Sequence, residues 1–74
     1  MRPVLLAVHV DRLPQTFDVE FPRMPDGQRR VARIQLSRTY ANAADALNAA
    51  ASHVETLNDF EIALLERATK PMQG

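Results

Sequence analysis

The sequence predicts a small α+β protein in two layers. An antiparallel hairpin sheet carries one amphipathic helix on a face, in the order βββαβ, with βββαα as the alternative. Three observations lead there. Apolar and polar residues alternate in three runs before residue 39, the two-residue period of half-buried strands. Two of these runs flank Pro25-Asp26-Gly27, which supplies turn chemistry. After Asn42 the apolar period lengthens to that of a helix.

The first run, residues 4–11, sets Val4, Leu6, Val8 and Val10 on one face and Leu5, Ala7, His9 and Asp11 on the other. Asp11 to Gln15 reads as a turn, since Pro14 has no amide to give a ladder. The second run, residues 17–23, points Phe17, Val19 and Phe21 inward and Asp18, Glu20 and Pro22 outward. The third, residues 30–38, points Ala32, Ile34 and Leu36 inward and Val31, Arg33, Gln35 and Ser37 outward. Two alternating runs around Pro-Asp-Gly form a hairpin.

Over residues 43–57 the stripe Ala43, Leu47, Ala50, Val54 and Leu57, widened by Ala44 and Ala51, predicts a helix. Asn42 is its cap, with Asp45 near the positive helix end. Residues 58–70 read two ways. As a strand they point Phe60, Ile62 and Leu64 inward and leave Leu65 outside. As a helix they begin with the box-like Asn58-x-x-Glu61. The strand face is the cleaner pattern, because on a helix Ile62 sits about 140° from Leu57, and βββαβ follows from it. Leu47 and Phe21 are core residues on this reading. Residues 1–74 form one domain with a frayed tail at 70–74.

Seventy-four residues with eleven Ala and no Cys leave a modest core and no disulfide to support it. The missing Cys also excludes thiol catalysis and cysteine zinc sites. His9 and His53 are the only histidines. His9 and Asp11 share a strand face, but no third ligand is evident, so no metal site is expected. Gly27 and Gly74 are the only glycines, which excludes a glycine-rich phosphate loop. No nucleophile elbow gives Ser37 or Ser52 a catalytic setting, and Arg2 precedes Pro3, so an N-terminal proline base fails. The expectation is a protein with no catalytic residues and no cofactor. The apolar run after Arg2 ends at His9, too short for a signal peptide core or a membrane span, so the reading is cytoplasmic, with no membrane partner.

The net charge is zero but unevenly spread: residues 1–40 carry +3 and residues 41–74 carry −3. Arg23, Arg29, Arg30, Arg33 and Arg38 cluster on the hairpin and are the candidate partner-binding residues. The outward apolar residues Leu5, Ala7, Val31 and Leu65 are the candidate interface, with the first strand as an edge through which a homodimer forms. The phenylalanines point inward and only Tyr40 is left for base stacking, so nucleic acid is the weaker partner.

The second half, from Ala41-Asn42-Ala43-Ala44-Asp45-Ala46-Leu47 through Asn58-Asp59-Phe60-Glu61-Ile62 to Glu66-Arg67-Ala68, resembles short accessory proteins of phages and mobile elements. The likeness spans residues 30–69 and rests on pattern, so no functional residue is carried over. It implies a compact α+β accessory protein that binds a host component, anti-CRISPR and other anti-defence inhibitors being examples, or a structural module of the same elements. Arg-rich usage with abundant Ala fits a bacterium or its phage. The function expected is a non-catalytic protein-binding module acting in the host cytoplasm, the alternative a nucleic-acid-binding regulator using the Arg-rich hairpin.

Overall fold

The central strand, β2 (Thr16–Glu20), is flanked by antiparallel β1 (Val4–His9) and β3 (Arg29–Gln35). Helices α1 (Ala43–Thr56) and α2 (Asp59–Ala68) follow, and a two-residue strand β4 (Pro71–Met72) returns to pair with Arg30 and Arg29. The computed structural model describes residues 2–22, Gly27, 29–69 and the backbone of Pro71 and Met72. The α+β class holds, and the hairpin pairs as expected, Phe17 opposite Ile34 and Val19 opposite Ala32. Gly27 takes a φ of 72°, the left-handed conformation the turn asks of glycine. Met24, Pro25, Asp26 and Gln28 lie outside the described residues, as do Lys70, Gln73 and Gly74 of the expected frayed tail, whose Pro71 and Met72 are β4.

Alternation places Phe17, Val19 and Phe21 wholly inside, with Ala32 and Leu36 beside them. The first strand departs from its expected faces. Leu5 pairs with Val19 and Ala7 with Asp18, so Leu6 is the extra residue of a β-bulge. The bulge shifts the pattern by one, and Leu5 joins Val8 and Val10 against the core while Val4 and Leu6 are exposed. Leu5 is therefore not an outward residue.

Asn42 caps α1 as expected, its side chain accepting from the Asp45 amide at 2.9 Å. The buried stripe, however, is Ala46, Ala50 and Val54, and Leu47 is half exposed. Ala46 and Ala50 have no side chain beyond Cβ, so the helix comes down closest on them and turns the larger Leu47 to the flank. At the other end Arg2 reaches across and donates its guanidinium to the Val54 carbonyl, which also accepts from the Leu57 amide that closes the helix.

Residues 59–68 are helix, which corrects βββαβ to the βββαα order with a minimal fourth strand. Asn58 accepts from the Glu61 amide at 2.8 Å and Glu61 Oε1 accepts from the Asn58 amide at 3.0 Å, a complete capping box. Cap and propensity prevail because the clean strand face had little to bury against. Of its three residues only Ile62 is buried, while Phe60 is 71% and Leu64 is 49% exposed. Leu65, expected outside, is half-buried against the core three residues beyond Ile62.

Candidate functional site

On the open face of the sheet, the expected basic patch is matched by carboxylates. Asp18 and Arg33 are direct cross-strand partners, and Arg33 Nε donates to Asp18 Oδ1 at 2.9 Å. Asp18 Oδ2 meets His9 Nε2, also at 2.9 Å, so one carboxylate links all three long strands. Arg29 donates to Glu20 Oε1 at 3.0 Å. Arg38 lies over the Tyr40 ring at 5.0 Å from its centre, a cation–π contact. The Arg30 carbonyl accepts from the Phe21 amide, and Arg23 lies outside the described residues. Of the expected partner-binding arginines, Arg29 and Arg33 have their charge balanced within the sheet.

The bond from Arg33 holds the Asp18 carboxyl below its ordinary value, with a further bond to His9 in the same sense and burial opposing both. A carboxyl whose folded-state pKa is depressed contributes stability that is complete above its unfolded value, about 3.9, and is lost as pH falls through the folded value. Wild type should therefore be more stable than Asp18→Asn at neutral pH. The gap should close as denaturation is repeated below about pH 4. A gap that is absent at neutral pH, or constant down to about pH 2, would show that the Asp18 cluster contributes nothing by ionisation.

The candidate interface residues do not share a surface. Ala7, opposite Asp18, and Val31, opposite Glu20, face outward on the sheet, whereas Leu5 and Leu65 lie on the helix-covered side. Leu65 lines a groove of about 310 Å³ between β3, the end of α1 and α2. Ile34 comes from the strand, His53 and Leu57 from the last part of α1, and Glu61, Leu64, Leu65 and Ala68 from α2. The α2 residues follow the spacing of one helix face. Leu57 and Asn58 are both extended and link the two helices. His53 is fixed by its ring, which meets Phe17 edge-on at 5.6 Å.

His53, Glu61, Leu64 and Ala68 are exposed, so the groove is an open trough and not a closed cavity. Its only ionisable lining groups are His53 and Glu61, and the Glu61 carboxylate spends one oxygen on the capping box. Phe60, one helical turn before Leu64, adds a second large apolar side chain to the solvent side of α2. Among the described residues no group of three or more His, Cys, Asp or Glu is placed to hold a metal ion, and no helix is long and apolar enough to cross a membrane. Apart from Leu65, the groove residues were missed in the sequence. The signal for them was the 61, 64, 65, 68 spacing, which is read only once residues 59–68 are taken as helix. No family model matches the chain, and neither the curated proteins nor the solved structures contain a match to it.

Proposed function

We propose that this protein is a non-catalytic protein-binding module whose docking surface is the helical layer, centred on α2 and the groove beneath it. The observation that carries this reading is the exposure of Phe60 and Leu64 one turn apart on α2, beside an apolar trough. Large apolar side chains grouped at a concave surface are the usual anchors of protein interfaces. The hairpin, by contrast, meets Arg29 and Arg33 with its own carboxylates, which lowers the net field it offers to phosphate. The His9–Asp18 pair is a hydrogen-bonded element of an open sheet face, with Arg33 on the carboxylate that a catalytic dyad would use to orient its base. Inhibition of a host component by a phage-encoded chain, in the host cytoplasm, is one form such binding takes.

Affinity capture from bacterial lysate tests the reading when wild type is compared with Phe60→Ser, Leu64→Ser and Arg29→Ala. The captured protein should survive nuclease and high salt, be lost with either α2 variant, and persist with Arg29→Ala. Captured material that disappears with nuclease, or with Arg29→Ala but not with the α2 variants, would instead assign the function to nucleic acid at the hairpin, because phosphate contacts are salt-sensitive.

A further inference from the structure

The charge around the groove says what kind of partner it fits. Resting on the docking reading above, we infer that the groove receives a segment of another protein that presents a large apolar side chain next to lysine or arginine. The two helices carry Asp45, Glu55, Asp59, Glu61 and Glu66 against Arg67 alone. Glu61 lies in the groove wall itself. Glu55 and Asp59 stand on either side of the two-residue link that brings α1 to α2, and both are exposed. Glu61 is therefore the carboxylate of the trough itself, while Arg2 is bonded to the Val54 carbonyl at the end of α1 and Arg67 sits at the far end of α2. A partner's cations belong beside Glu61 and its apolar anchor against Leu64 and Leu65. Complementary charge at a rim raises the association rate and rejects partners of the wrong sign.

A second copy of this chain is a poorer occupant. Two copies joined through α2 by a two-fold axis would set the same carboxylates against each other. The arginines of the chain, Arg67 excepted, lie outside its helices, and those of β3 are already paired at Arg29 and Arg33. An enclosed small molecule fits less well still, because the trough is open along Leu64 and Ala68.

The probes are two fluorescein-labelled peptides of identical apolar sequence, one flanked by lysines and the other by glutamates. Fluorescence anisotropy should show the lysine-flanked peptide binding at least about tenfold tighter near 0.1 M salt, with the ratio shrinking as salt rises. Leu64→Ser should abolish binding. Glu61→Gln keeps a residue that can complete the capping box and removes only the charge. It should leave the fold intact by circular dichroism while weakening the lysine-flanked peptide about threefold or more. Equal affinity for the two peptides overturns the inference and leaves the docking reading standing, provided capture from lysate still depends on Phe60 and Leu64. Binding of neither peptide, or binding indifferent to Leu64→Ser, overturns the inference as well. So does self-association of the wild type that Leu64→Ser abolishes, because the groove would then belong to a second copy.

Discussion

Phe17→Ala should remove a large part of the protein's folding stability. Phe17 has no exposed surface, sits in the central strand and packs under both the sheet register and the His53 ring. Truncating a buried Phe costs about 3–5 kcal/mol, through lost transfer energy and the cavity left behind. A domain of this length has a total stability of about 4–11 kcal/mol. Such a loss lowers the midpoint of thermal unfolding by about 15 °C or more. The informative control is Leu47→Ala. Although the helical stripe marks Leu47 as a core residue, its half exposure limits the cost to about 1 kcal/mol, and Ala is the better helix former. Calorimetry of the two variants in parallel should separate them clearly. Equal losses would mean that α1 is rotated about its axis from the orientation described, with Leu47 in the place given to Ala46.

The contrast between these two positions shows what the sequence could and could not disclose. In β2 and β3 the alternation is unbroken, so Phe17, Val19, Phe21, Ala32 and Leu36 were legible as the inner face. In β1 the pattern misleads because the bulge at Leu6 is a property of pairing with β2, not of the strand alone. A shift of one residue exchanges the two faces. In α1 the period was correct and Ala50, Val54 and Leu57 are buried as the stripe implied, but at its start Ala46 takes the place given to Leu47, since the closest approach to a sheet is set by the smallest side chains and not by the most apolar ones. In α2 two local signals competed. The capping box decided, because an element that buries only Ile62 fully has little tertiary packing with which to override its own propensity.

The candidate site was legible to a lesser degree for the same reasons. The hairpin arginines stood out by type, but the carboxylates that meet them become visible only with the register, which sets Arg33 opposite Asp18. The loop between β2 and β3 is too long for its turn chemistry to fix that register. The groove depends on two helices meeting at Leu57 and Asn58, so a strand reading of residues 60–66 erases it. Leu65 entered the candidate interface for its apolar character and belongs to the site for its place on a helix.

Gln15 is the residue that no pattern marks, and its replacement should have the second largest effect on stability. It is the one buried polar residue among those described, at 4% exposure. Its Nε2 donates to the Val10 carbonyl at 3.1 Å and to the Tyr40 carbonyl at 2.9 Å, while its Oε1 accepts from the Tyr40 amide at 2.7 Å. One side chain thereby joins the turn before β2 to the segment leading into α1. Gln15→Leu keeps much of the volume and leaves these partly buried groups unpaired, at a cost of about 2–4 kcal/mol. Gln15→Glu distinguishes a bonding role from a space-filling one. A carboxylate still accepts from the Tyr40 amide but donates to neither carbonyl and repels both. Protonation restores one donor, so the folded state favours the neutral acid and raises its pKa above the unfolded value. The variant's deficit relative to wild type should then be small at about pH 4 and grow as pH rises toward 7. Urea denaturation of the three proteins at both pH values measures this. A Gln15→Glu deficit that does not change with pH, together with a Gln15→Leu variant as stable as wild type, would show that the side chain only fills space there. Hydrogen exchange at the Tyr40 amide locates the effect, since its protection should fall in Gln15→Leu while the amides of β2 keep theirs up to the reduced global stability.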